Sequence, residues 1–107
     1  MSKTQETGAL TEAIYYILLA VHTPLHGYGI MQYVSEISNE RVRLGPGTLY
    51  GAINNMLAKG WIESVQTPVD DRKKEYMITS LGREVVQKEI TRLEELLKNG
   101  RKIARGE

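Results

Sequence analysis

The stretch Gly47-Thr48-Leu49-Tyr50-Gly51-Ala52-Ile53-Asn54-Asn55-Met56-Leu57-Ala58-Lys59 decides how this chain reads. At about 100° per residue, Leu49, Ile53, Met56 and Leu57 fall in one sector of a helix, with Gly47, Gly51, Asn54, Asn55 and Ala58 roughly opposite. Gly60 follows in the position that favours a left-handed residue and ends the helix. A face that is merely solvated carries Glu, Lys or Arg. This one offers two amides among small residues, which let the backbone approach another surface closely. Asparagine pairs bidentately with adenine edges in the major groove, and Thr48 at the helix start suits a phosphate or base contact. Tyr50 stands at the border of the face and admits two readings: a hydroxyl on a phosphate, or a ring half-buried against the preceding helix.

Upstream, Leu10, Ile14, Ile17, Leu18 and Val21 recur at helical spacing, with Thr7 or Thr11 as cap. They predict a first helix ending near His22 and stopped by Pro24. Leu25-His26-Gly27-Tyr28-Gly29-Ile30 opens a second helix that continues through Met31, Val34 and Ile37. Arg41 to Leu44 alternates charged and apolar residues, which predicts a brief strand, and Gly45-Pro46-Gly47 predicts a turn, so that the third helix starts at Thr48. Downstream, Trp61, Ile62 and Val65 form one extended run and Tyr76 and Ile78 another, joined by a turn holding Pro68, Asp70 and Asp71. Thr79 or Ser80 then caps a long final helix whose stripe Leu81, Val85, Val86, Ile90, Leu93, Leu96, Leu97 runs almost to Gly100. This order predicts a mainly α fold with a small β-hairpin: a winged helix-turn-helix plus a long C-terminal dimerisation helix. Residues 1–79 form the winged helix and 80–107 the final helix and tail, as one structural unit.

Val86, Ile90, Leu93 and Leu97 follow steps of four, three and four, close to a coiled-coil seam. One small core does not cover so broad a stripe, which predicts a homodimer through this helix and Leu10 and Ile14 of the first. At the hairpin tip, Arg72, Lys73 and Lys74 suit phosphates, although Asp70 and Asp71 oppose them. The charge of +1 over 107 residues gives no general basic excess, so any attraction for nucleic acid is local. It leaves room for an alternative, a winged-helix module that docks another protein with the same helix and wing. Cysteine is absent, which excludes disulfides and thiolate chemistry. The longest apolar stretch, Ala13 to Val21, is too short for a bilayer, and a cytoplasmic protein is expected. His22 suits the carbonyl end of the first helix and His26 the tight turn before the second, and neither has partners at metal spacing. With no nucleophile–base arrangement, catalytic carboxylate pair or phosphate loop, an enzyme, a metal and a cofactor are all unexpected.

Taken together, Leu25-His26-Gly27-Tyr28-Gly29-Ile30, Gly47-Thr48-Leu49-Tyr50, Leu57 to Trp61 and Arg72-Lys73-Lys74-Glu75-Tyr76 resemble the PadR-like transcriptional regulators, specifically the short members with a single C-terminal dimerisation helix. The resemblance implies a homodimeric repressor on a roughly palindromic double-stranded operator, controlling a transporter or stress-response operon and sometimes released by a small-molecule effector. By position it assigns DNA contacts to Tyr28, Thr48, Tyr50, Asn54, Arg72 and Lys73; Asn55 and Lys74 join them from the wheel and the wing. Two departures stand out. Gly51 occupies a place where many relatives carry a basic residue, and the final helix lacks the tryptophan with which some short relatives hold flat drugs.

Overall fold

The computed structural model describes residues 8–65 and 74–107. Helix α1 (Glu12–Ala20) starts at Thr11, whose Oγ1 accepts the Ile14 N–H at 3.1 Å. At its other end His22 Nδ1 lies 3.0 Å and 3.2 Å from the Leu18 and Leu19 carbonyls. Because carbonyls only accept, Nδ1 carries the proton, as the expected end-of-helix role requires.

The first departure from expectation comes next. Leu25 and His26 do not open a helix but form a two-residue strand, β1 (Leu25–His26), and helix α2 spans Gly27–Ile37. Conversely, no strand forms over 41–44. The chain turns there through Asn39 and Glu40, both left-handed at φ 54° and 65°. Buried Ser38 holds the turn, its Oγ accepting the Val42 N–H at 3.0 Å and donating to the Ser35 carbonyl at 3.3 Å. Val42 and Leu44 pack half-buried on the core, and Arg41 pairs with Glu12.

Helix α3 (Pro46–Ala58) begins two residues before Thr48, with Pro46 in the first turn, where a missing N–H costs nothing. Leu49, Ile53 and Met56 are fully buried, and Gly60 takes φ 77° just after the end. Strands β2 (Ile62–Val65) and β3 (Glu75–Ile78) pair antiparallel, Ile62 opposite Ile78 and Val65 opposite Glu75. β1 adds to the other side of β3, Leu25 opposite Tyr76 and His26 opposite Glu75, giving the order β1-β3-β2. The Ile78 N–H completes this edge on the Val21 carbonyl at 2.8 Å. The expected turn at Pro68, Asp70 and Asp71 lies outside the described residues, as does Thr7.

Helix α4 (Ser80–Arg105) is capped by Thr79, whose Oγ1 accepts the Gly82 N–H at 3.1 Å and donates to the Gly60 carbonyl at 2.6 Å. The Thr79 N–H also donates to the Trp61 carbonyl at 3.0 Å. Gly82 lies so close to that carbonyl that a Cβ would overlap its oxygen. The helix passes through Gly100, where the stripe was expected to stop, and ends at left-handed Gly106.

Among the described residues, thirteen buried hydrophobic residues from α1 and its C-cap Val21, α2, α3, the sheet and α4 make one core. Val86, expected in the inter-subunit seam, is 2% exposed within the single chain and belongs to that core. Leu10, Ile14 and Ile90 are half-buried against it, whereas Leu93, Leu96, Leu97 and Ile103 are exposed.

On α4, Glu89 is buried at 5% exposed. Arg92 grips it with two hydrogen bonds, and the Leu10 N–H donates to Oε1 at 3.4 Å. The Arg92 fork holds the carboxyl below its ordinary value of 4.5; burial works in the opposite direction and the Leu10 N–H assists. A carboxylate depressed in the folded state contributes stability in full above its unfolded value and loses it as pH falls through the folded one. Urea-unfolding free energies measured from about pH 7 down to about pH 3 should therefore fall more steeply for the native chain than for Glu89→Gln. Parallel pH curves would show that the ion pair contributes nothing to stability.

Candidate nucleic-acid interface

The face of α3 turned away from the core is continuous: Gly47, Thr48, Tyr50, Gly51, Asn54, Asn55 and Ala58 are all exposed. No space-filling neighbour lies near Gly47 or Gly51, so this helix presents bare backbone between its polar side chains. Its N-terminus is open as well. Gly45 is the N-cap and makes no side-chain cap bond, and Leu49 is the first residue to donate back into the helix, at 2.9 Å to the Gly45 carbonyl. Pro46 has no N–H, so the Gly47 and Thr48 N–H groups remain without an intrahelical acceptor at the positive end of the helix dipole.

Tyr50 follows its packed reading. Its hydroxyl sits over Gly27 at the start of α2, where a Cβ would collide with the phenol, while the residue as a whole stays 43% exposed. Tyr76 lies nearby, its phenol raised above 10.0 by burial and, to a smaller degree, by Tyr50. Beside this contact Tyr28 projects from the first turn of α2 at 63% exposed.

The start of α2 thus has a distinct task for each residue. Leu25 pairs with the sheet, and His26 caps the helix by accepting the Gly29 N–H on Nδ1 at 3.1 Å. Gly27 admits Tyr50, and Tyr28 faces outward with its ring edge-on to His26, centroids 6.4 Å apart. The capping role of His26 was not foreseen from sequence. The only signal was a side-chain acceptor three residues before the Gly29 N–H, the spacing usual for Ser, Thr, Asp or Asn.

Lys74 is exposed just before β3, while Arg72 and Lys73 lie outside the described residues. Of the residues expected at a subunit interface, Leu93 and Leu97 are exposed on α4, Leu10, Ile14 and Ile90 are half-buried, and Val86 is enclosed. Among the described residues no group of three potential metal ligands occurs, and no helix is long and apolar enough to cross a membrane.

A family profile described as "Transcriptional regulator PadR-like family" matches residues 16–88, from the middle of α1 through the first half of α4. The chain belongs to the PadR-like family of transcriptional regulators. This PadR-like protein is 35% identical over 78 residues to the transcriptional regulator Rv3488 of Mycobacterium tuberculosis, covering 72% of this chain and 70% of that one. It is also 36% identical over 66 residues to an uncharacterised 37.1 kDa protein in transposon TN4556 of Streptomyces fradiae, covering 62% of this chain but only 18% of that protein's length. Among solved structures, a transcriptional regulator from Clostridium thermocellum superposes with a TM-score of 0.70 at 22% identity, covering 87% of this chain and 91% of its own. The PadR-like fold is therefore the winged helix with a long C-terminal helix, and the family acts in transcription regulation rather than in catalysis.

In this PadR-like protein the cap at His26 supports the turn that carries Tyr28. Replacing His26 by Ala should cost about 0.5–2 kcal/mol of stability in urea unfolding, whereas His26→Asn should recover most of it. Equal losses in both variants would mean that His26 acts through something other than its cap.

Proposed function

We propose that this PadR-like protein binds a roughly palindromic DNA operator as a homodimer in the cytoplasm and represses a transporter or stress-response operon by occluding its promoter. The observation that carries this reading is the outward face of α3: Thr48, Tyr50, Asn54 and Asn55 around bare backbone at Gly51, exposed on a helix whose other face fills the core. Such a face suits the major groove. Amides and a hydroxyl read base edges, and small residues let the helix approach. It carries no charge, so affinity falls to Lys74 with Arg72 and Lys73 on the wing, to the open N–H groups at Gly47 and Thr48, and to doubling in a dimer. The exposed tyrosine at 28 adds a phosphate donor beside the same helix.

Dimerisation is supported by Leu93, Leu96, Leu97 and Ile103, which a single chain leaves in water on the distal half of α4. Pairing two such helices, with Leu10, Ile14 and Ile90 at the flank, would set two recognition helices about 34–36 Å apart, or a multiple of that, on one face of the duplex. The charge of +1 favours the rival, a module that docks protein with the same surfaces.

Fluorescence anisotropy against duplexes selected from a random pool should give tight, salt-sensitive binding that greatly exceeds binding to bulk DNA. Asn54→Ala or Asn55→Ala should erase about 1–3 kcal/mol of discrimination at particular base pairs. Lys74→Ala should weaken all duplexes alike and reduce the salt slope by about one. Equal, weak binding to selected and bulk duplexes would favour the protein-docking rival.

In sedimentation equilibrium the native chain should weigh twice 12.1 kDa, and the double variant Leu93→Glu, Leu97→Glu should approach 12.1 kDa with its helical circular dichroism retained. A double variant that stays dimeric would place the interface elsewhere.

A further inference from the structure

Two histidines flank the connection from α1 to α2, and their rings use the same nitrogen in opposite senses. His22 Nδ1 donates to the Leu18 and Leu19 carbonyls, so Nε2 is left to take up a proton, and the charge would sit at the negative end of α1. His26 Nδ1 accepts the Gly29 N–H at 3.1 Å, which requires a bare lone pair on that nitrogen and the ring hydrogen on Nε2. A second proton has only Nδ1 to go to. Protonation of His26 and the cap of α2 therefore exclude one another, whereas protonation of His22 keeps its hydrogen bonds.

The surroundings of His26 reinforce this opposition. Its ring packs on Gly29 so closely that a Cβ there would lie 3.2 Å from Nδ1, and it meets Tyr28 edge-on. An imidazolium in that place would set a cation at the positive end of the α2 dipole, and the first turn of α2 holds no acidic residue to offset it. Strand β3 supplies an alternative partner. Glu75 stands opposite His26 in the antiparallel ladder, and residues paired in this way project to the same face of the sheet. Among the described residues no ion pair joins the two, in keeping with a neutral ring engaged on Gly29. The other titratable groups nearby are Tyr28 on α2, Tyr50 on α3 with its hydroxyl over Gly27, and Tyr76 and Lys74 beside Glu75.

Tyr28 is carried by the turn that the His26 cap closes, and it projects at 63% exposed beside the outward face of α3. We propose that His26 is a positioning residue for operator binding. Neutral, it caps α2 and holds Tyr28 beside α3. Protonated, it gives up Gly29, turns to Glu75 and frees the turn that carries Tyr28, so that operator affinity falls on acidification. Histidine changes charge between about pH 5 and pH 8, which sets the window. By linkage, the stabilisation from the cap is present above that window and is lost as pH falls through it. The effect on affinity rests on the operator-binding reading above; the exclusion of a proton by the cap does not.

Anisotropy titrations of the full chain with selected duplexes, from about pH 8 to about pH 5.5 at constant ionic strength, should show affinity weakening about tenfold towards acid. His26→Asn supplies a side-chain acceptor that does not titrate, and it should hold the high-pH affinity across the range. Glu75→Gln, which removes the carboxylate that receives the imidazolium, should move the fall to lower pH. His22→Asn should reproduce the native profile. A second readout needs neither DNA nor a variant: in NMR of the free native chain, the Gly29 amide shift should titrate together with the His26 ring nitrogens. An affinity that stays flat or tightens towards acid, a His26→Asn variant that still weakens, an unmoved fall in Glu75→Gln, a His22→Asn variant that loses the profile, or a Gly29 amide that ignores the His26 ring would each overturn the proposal. A Gly29 amide that follows the ring, in a chain that binds no duplex tightly at any pH, would retain the protonation-linked cap and remove the operator-binding reading.

Discussion

The contact on which the architecture turns is the approach of Gly82 to the carbonyl of Trp61. One residue from each side of the hairpin meets there. Trp61 has just left α3, and Gly82 stands in the first turn of α4. Around them the Thr79 hydroxyl bridges the Gly60 carbonyl and the Gly82 N–H, so the C-terminal end of α3 and the N-terminal end of α4 share one set of hydrogen bonds. Any side chain at position 82 would push the two backbones apart. That single requirement seats the long helix on the exit of α3.

The second constraint is the limited core. Three buried positions on α4, Gly82, Val86 and Glu89, lie on its first half, and Glu89 is tolerated there only because Arg92 and a backbone N–H surround it. Beyond Ile90 the apolar residues continue, but among the described residues Leu93, Leu96, Leu97 and Ile103 are left exposed. The family relationship covers residues 16–88 and so ends near the same point. The matched part is thus largely the part that packs within one chain.

Much of this was legible in the sequence where one period dominates. The wheel of α3 separated buried Leu49, Ile53 and Met56 from the exposed Gly51, Asn54 and Asn55 without error, because a helix enforces its period whatever surrounds it. The misread parts were those decided by partners rather than by period. Leu25-His26 is too short to show alternation, and it becomes a strand only because Tyr76 and Glu75 offer an edge. Arg41 to Leu44 alternates correctly and still forms no strand, since the Ser38 hydroxyl takes the Val42 N–H. Pro46 was absorbed into a turn reading although proline is also a first-turn residue. The apolar stripe was followed almost to Gly100, and the helix runs on through that glycine to Arg105. The expected seam was misjudged at Val86 for a similar reason: a stripe shows which positions are apolar, not which neighbour covers them.

The length of α4 has a mechanical side. Twenty-six residues at a helical rise make a rod of about 39 Å. Its seat lies at one extremity, at Gly82, and its last enclosed side chain is Glu89. For a rod held in this way, a tilt of about 5° at the seat carries the far tip through about 3 Å. Angular play too small to break one hydrogen bond at Trp61 therefore becomes, at Arg105, a displacement as long as a hydrogen bond.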